Sequence, residues 1–357
     1  MSYEQKLRDE IQKICPIDRE MCRRAEKRWN EIGKPLGSLG RLEEMVVQLA
    51  GITRQQIPCV DKKAVLIFCA DNGVVAEGVT QTGQKTTAAV ARNFARGIAT
   101  VNAFARVLGA DSIPIDIGIH EDVSEVGGLV HEKVAPGTRN MARQAAMTRE
   151  ECAKAVLTGI EQVKNYKKKG YQLFMTGEMG IGNTTTSSAV LSVLLGVSPK
   201  EVTGRGAGLS KEGVRHKIQV IEEAIKKNAP DPEDVLSVLS KVGGFDLCGI
   251  TGAFLGGAIY QVPVIVDGFI SAVAANCAIR LSNTCREYMF ASHVSAEPAG
   301  SLALQAIGME PYLSAGMCLG EGTGAVIGAG LFDYALAAYK EVVEFSEAEY
   351  EHYQKFD

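Results

Sequence analysis

AVLIFCADNG, residues 64–73, sets seven apolar residues in a row and turns polar only at Asp71 and Asn72. A strand with one wet face alternates apolar and polar side chains. An unbroken apolar run marks a strand covered on both faces, the habit of parallel sheets. Four more segments share the form: SIPIDIGI (112–119), YQLFMTGE (171–178), VPVIVDG (262–268) and YMFASH (288–293). Between them lie stretches with helical spacing, notably 86–108, 149–169 and 211–227, the last ending before Asn228 and Pro230. Strands alternating with helices predict an α/β fold built on a doubly wound parallel sheet. Residues 1–60 and 331–357 read as mostly helical and predict a small helical domain formed from both termini, beside the α/β domain of 61–330.

The chain of 357 residues is 46% apolar, ample for a core, and its net charge of −4 comes with no basic stripe. Nucleic acid is therefore not an expected partner, and small-molecule chemistry is. Nine cysteines, an odd number without a C-x-x-C pair or zinc spacing, read as buried reduced thiols in a cytoplasmic protein that holds no metal. The charged start MSYEQKLRDE lacks the apolar core of a signal peptide. The uncharged run 247–266 has the length of a membrane span. Its glycines at 249, 252, 256 and 257, with Pro263, make it a glycine-rich helix followed by a strand, so no membrane is expected.

Ligands of open α/β sheets bind past the carboxyl ends of the strands, which singles out Asp71, Asn72, Asp116, Glu178, Asp267, Ser292, His293 and Ser295. Asp116 equally suits a cap or a neighbouring partner, and His293 a structural hydrogen bond. GEMGIGNTTTSS (177–188) puts glycines between a strand and a helix, so backbone N–H groups, with Asn183, Thr184 and Thr185, suit an anion. No lysine follows the last glycine as it does in a triphosphate loop. A monophosphate fits; a tight turn closed by a threonine cap is the alternative. TGRGAGLS (203–210) adds Arg205, and neither segment has dinucleotide spacing. In LGEGTGAVIGAG (319–330), Glu321 stands between glycines after an apolar stretch, either a partly desolvated general base or a solvated loop residue. Glu178 has a similar setting, and two carboxylates across a pocket suit positive charge developing on a sugar carbon. His131, His216 and His352 lie among charges and read as solvated.

KPLGSLGRLE (34–43), CADNGVVAEGV (69–79), GEMGIGNTT (177–185), KVGGFDLCGITG (241–252), VDGFISA (266–272), SHVSAE (292–297), MEPYL (309–313) and LGEGTGA (319–325) together resemble the nicotinate-nucleotide–dimethylbenzimidazole phosphoribosyltransferase family, in order over 34–330. The resemblance implies a Rossmann-like sheet, a small helical domain from both termini, a homodimer and no cofactor. It implies attack of a benzimidazole nitrogen on C1′ of nicotinate mononucleotide with inversion, giving α-ribazole phosphate for cobalamin and releasing nicotinate. By position, Glu321 falls on the family's general base, and Glu178, Met179 and Gly180 on the segment lining the nucleotide site. Asn183, Thr184, Gly206, Lys217 and Ser295 fall in or beside the phosphate region; Lys217 alone would read as a solvated helix lysine. Leu319 falls on the wall of the base pocket, where Thr82 replaces a common serine. Gly83 stands where a proline is frequent and Val90 where a glutamine is, which leaves other benzimidazoles, purines and phenols open as the base. A nucleotide-binding subunit or paralogue that needs a partner chain is the alternative, as is a nucleotide hydrolase.

Overall fold

The computed structural model describes residues 1–347 and Tyr353, so the expected helical end 331–357, with His352, lies partly outside the described residues. Six strands form one parallel sheet: β1 (Lys63–Ala70), β2 (Asp111–Gly118), β3 (Val130–His131), β4 (Leu173–Met179), β5 (Val264–Val266) and β6 (Met289–Ala291). Their order is β3-β2-β1-β4-β5-β6. Each of the five apolar runs is a strand. β3, unread in the sequence, is a two-residue edge pairing of Val130 with Ile115 and His131 with Asp116, too short to carry a period.

All eight residues of β1 are buried. The burial of Val65, Leu66, Ile67 and Phe68 contributes about 1.5 to 3 kcal/mol for each side chain. From β1 the chain winds outward to β2 and β3, returns past β1 to β4, and winds outward again to β5 and β6. The reversal between β1 and β4 opens a crevice beyond their carboxyl ends.

The expected helix 86–108 is two helices, Lys85–Arg96 and Thr100–Leu108. Gly97 breaks it at φ +73, the left-handed conformation in which glycine closes a helix without strain. The third stretch runs one residue further than read, Lys211–Asn228, and stops at Ala229 before Pro230.

The uncharged run 247–266 is the buried helix Phe245–Tyr260 followed by β5. Gly252 and Gly256 face a neighbouring helix, Arg149–Lys168, while Gly249 lies against Phe68 and Gly257 against Val264: a methyl group on Gly159 would overlap the carbonyl oxygen of Gly249, and one on Gly252 that of Val156. The two backbones touch, which is why these positions carry no side chain. Among the described residues no helix is long and apolar enough to cross a membrane.

Helices Arg19–Glu31 and Arg41–Thr53 pack together and onto helix Thr323–Glu341. Trp29 lies 4.9 Å from the Tyr339 ring, Arg28 pairs with Glu344 at 2.9 Å, and Ile32 bridges to Glu344. Helix Thr323–Glu341 passes through 330/331 without a break. The first helix, Tyr3–Ile11, instead packs on Arg149–Lys168, held by Glu4 and Arg149 at 3.0 Å.

The backbone contact between these helices predicts that Gly159→Leu lowers stability by at least about 3 kcal/mol, because overpacking against a carbonyl has no rotamer that relieves it. Urea unfolding measures it; a variant with wild-type stability would show that the helices are free to part.

Candidate active site

β4 ends in Thr176-Gly177-Glu178-Met179, and the glycine decides what lies beside it. A methyl on Gly177 would overlap the backbone carbonyl of Glu321, and one on Gly320 the Glu178 carboxylate. The two glycine-rich segments therefore interlock. Three consecutive residues, Gly320, Glu321 and Gly322, hold positive φ (+83, +63 and +93). A non-glycine residue in this region is strained, a cost of about 1 to 3 kcal/mol that clusters at functional sites.

This interlock brings three acids together. Glu178 accepts hydrogen bonds from the Asn183 side-chain amide and from the Glu321 N–H. Burial, with Asp246 and Asp267 nearby, nevertheless pushes its carboxyl up to about 8. Glu321 is raised by burial and by Asp267, against the Val101 N–H, which donates to its Oε2 at 3.3 Å. Asp267, just past β5, is raised by burial and opposed by His293, and its Oδ1 accepts from the Ala325 N–H at 2.8 Å.

A cationic pole faces them. Past Gly182, in the left-handed region at φ +94, helix Asn183–Leu195 starts without a side-chain cap, so its amide dipoles point outward from the loop. Lys217, only 1% exposed, donates through Nζ to Thr184 Oγ1 at 2.8 Å and to the Gly204 carbonyl at 3.4 Å. Burial lowers its pKa from 10.5 to about 8, against the pull of Glu297. Gly206, at φ +51, lies against Thr184 and Lys217, and its N–H donates to Glu297. Among the described residues no carboxylate forms an ion pair with Lys217. A buried ammonium with no carboxylate in ion-pair contact, drawn on by Glu297 only at longer range, suits an anion.

Both poles belong to one cavity of about 330 Å³, in the range of small-molecule pockets. Of the residues singled out in the sequence, it is lined by Thr82, Val90, Glu178, Met179, Gly180, Asn183, Thr184, Gly206, Lys217, Asp267, Ser295, Leu319 and Glu321. Arg205 and His293 line it too. Asp71, Asn72, Asp116 and Ser292 do not. Asp116 caps the N–H groups of Gly118 and Ile119, as the plainer reading had it, and Asn72 hydrogen-bonds Asp246 at 3.3 Å. Thr185 is buried. Glu297, Phe269 and Gln81 line the cavity unread; Glu297 follows Ser295 by two residues, and that proximity was the one signal for it. His216 is tied to the Glu77 carbonyl at 2.6 Å. Among the described residues no three acids, histidines or cysteines are grouped to hold a metal.

A family model described as a phosphoribosyltransferase matches residues 14–350. The chain is 47% identical to the nicotinate-nucleotide–dimethylbenzimidazole phosphoribosyltransferase of Ruminiclostridium cellulolyticum, over 97% of this chain and 98% of that one. It is also 47% identical to the enzyme of the same name from Clostridium acetobutylicum, over 96% and 97%. The crystal structure of the Thermus thermophilus enzyme superposes with a TM-score of 0.87 at 36% identity, covering 93% of this chain and 98% of that one.

Lys217 offers a test independent of turnover. Between pH 8 and 10.5 the unfolded chain holds this lysine's proton and the folded chain does not, so wild-type stability should rise across that window, by about 3 kcal/mol. Lys217→Met is expected to lose this rise and the stabilisation by inorganic phosphate, while gaining stability at pH 7. Urea unfolding at several pH values measures all three; a variant still stabilised by phosphate would contradict the assignment.

Proposed function

The chain belongs to the nicotinate-nucleotide–dimethylbenzimidazole phosphoribosyltransferase family, and on that premise we propose that it moves the phosphoribosyl group of nicotinate mononucleotide onto a benzimidazole-type base in cobalamin synthesis. The observation that supports this most is the split cavity, with two glycine-locked carboxylates at one pole and the buried Lys217 ammonium at the other. A mononucleotide has the matching asymmetry, a 5′-phosphate at one end and a cationic ribosyl carbon at the other.

In this reading the phosphate lies against Lys217, Thr184, Gly206, Ser295 and the start of helix Asn183–Leu195, with Asn183 beside it. The apolar walls, Val90, Met179 and Leu319, take the base, with the Thr82 hydroxyl at their edge. A ring nitrogen attacks C1′ from the face opposite nicotinate, the C1′–N bond to nicotinate breaks, and nicotinate departs as a neutral pyridine nitrogen, giving the α-anomer. Ionised Glu321 takes the proton from the base's other nitrogen. Burial and the nearby acids would keep Glu178 protonated to about pH 8. The pyridinium ribosyl entering beside it favours the carboxylate, which then faces the oxocarbenium-like charge. Asp267, tied to the Ala325 N–H, keeps the floor between the two glutamates polar.

We place the enzyme in the cytoplasm, since its cysteines are free and Cys69, Cys152, Cys248, Cys277 and Cys285 are buried. We take helices Arg19–Glu31 and Arg41–Thr53 to cooperate with the end of helix Thr323–Glu341 as a small domain through the Trp29–Tyr339 contact, with helix Tyr3–Ile11 set apart on Arg149–Lys168. The working form is a homodimer. Two helices packed on each other leave Val107 90%, Tyr334 74% and Ile327 42% exposed, apolar side chains that a second copy would cover. Sedimentation is expected to give the mass of two chains, and Tyr334→Glu to shift it toward one.

The decisive variant is Glu321→Gln. With nicotinate mononucleotide and an equimolar mixture of dimethylbenzimidazole, benzimidazole, adenine and cresol, wild type is expected to give a ribosylated benzimidazole. Glu321→Gln should lose at least about 100-fold in kcat while keeping nucleotide affinity. Because Glu321 must be ionised, wild-type turnover should fall as pH drops through an apparent pKa above the ordinary carboxyl value of 4.5. Nucleotide binding without product in wild type would favour a subunit awaiting a partner chain, and a wholly phenolic product the phenol-activating alternative.

A further inference from the structure

Helix Thr100–Leu108 begins at Ala99, whose backbone (φ −80, ψ 169) has the shape of a helix cap but whose side chain has no acceptor. Several helices of this chain close their first turns with a side chain of their own. Asp18 accepts from the N–H groups of Glu20 and Met21, Asp234 from those of Leu236 and Ser237, and Thr148 from that of Glu151. Here the side chain that could help is turned away: Asn102 accepts from the Ala99 N–H at 3.1 Å and donates to the Phe94 carbonyl at 3.2 Å. The Val101 N–H is left to donate to Glu321 Oε2, 220 positions along the chain, at 3.3 Å.

Neither partner is free to drift. Glu321 is held at φ +63 between Gly320 and Gly322, and the helix that starts just after it, Thr323–Glu341, packs against Thr100–Leu108. The carboxylate thus serves as the cap that Ala99 does not provide, and the helix start serves as the carboxylate's anchor. We infer that the open N-terminus of helix Thr100–Leu108 is a positioning element for Glu321, and that alanine at position 99 is what leaves the Val101 N–H free to hold it.

This rests on Glu321 being the general base. The hydrogen bond favours its ionised form, against burial and Asp267. The other groups facing it act the same way as Asp267 or not at all. Glu178, at the end of β4, is a like charge when ionised, and His293 acts on Asp267. Helix Thr100–Leu108 has one charged residue, Arg106, in its last turn and bound to the Gly97 carbonyl at 2.7 Å. Helix Thr323–Glu341 has none before Asp333, which pairs with Lys63 at 2.8 Å.

The test restores the missing cap. Ala99→Asp and Ala99→Asn should capture the Val101 N–H as Asp18 and Asp234 capture theirs, raising Tm while releasing Glu321. The acid limb of the kcat profile should then move up by about 0.5 to 1 pH unit, a loss of about three- to tenfold in kcat below the limb, with KM for nicotinate mononucleotide unchanged. The neutral Asn variant separates competition for the donor from the added charge. A purely structural role would raise Tm and leave the limb in place, and that result in both variants overturns the inference. If capping lowers Tm, Val101→Pro removes the same donor at a first-turn position, and an unmoved limb there is equally decisive against it. Glu321→Gln run in parallel keeps the two ideas apart: retained turnover there sinks the general-base reading, whereas lost turnover with an unmoved limb sinks only the positioning element.

Discussion

Gly177 lacks a side chain because the backbone of Glu321 occupies the space one would need. Much of the site follows from that contact. It presses the loop after β4 against the loop before helix Thr323–Glu341, joining segments far apart in sequence at the mouth of one crevice. It forces Gly320, Glu321 and Gly322 into positive φ, so the glutamate projects from a strained turn that cannot relax without losing the strand-end contact. It also sets the Glu321 N–H on the Glu178 carboxylate, so each acid is fixed by reference to the other.

The electrostatic consequence is a cavity whose own charges are disfavoured by burial. Glu178, Asp267 and Glu321 are desolvated near one another, and their carboxyl groups are raised. At the other pole burial lowers Lys217. Each shift records a charged form that the fold disfavours and that a ligand of opposite sign would restore. In the proposed reading, a phosphate beside Lys217 and a cationic ribosyl carbon beside the glutamates would relieve both poles at once, and neither alone would. The rest of the fold absorbs this cost through its core: a fully buried central strand, and the helix pair Phe245–Tyr260 and Arg149–Lys168, whose glycines let the backbones meet.

How much of this the sequence displayed depends on the range over which each feature is determined. Buried strands announce themselves locally, so AVLIFCADNG and its four counterparts were legible, while the two-residue β3 exists through its pairing with β2 alone. The division of 86–108 at Gly97 was missed because apolar spacing runs on across the break. Strand ends led to cavity-lining residues after β4 and β5, to His293 and Ser295 but not Ser292 after β6, and to none on β1 or β2, where Asp71, Asn72 and Asp116 turn inward to serve the scaffold. Lys217 stands on a helix rich in charge, and nothing in its neighbours says that it is buried; the family resemblance alone pointed to it. The capping of one helix by a glutamate 220 positions away has no sequence signature, since its sign is an absence, an alanine where a cap is usual.

In the proposed reaction the glycine-locked carboxylates and the lysine pole hold one nucleotide so that a base attacks C1′ opposite the leaving nicotinate. Proton NMR of the product formed from nicotinate mononucleotide and dimethylbenzimidazole tests it most directly. The expected product is the α-anomer, with one nicotinate released for each ribosylated base and no release when the base is omitted. A β-anomer, or nicotinate released at the same rate without a base, would contradict it.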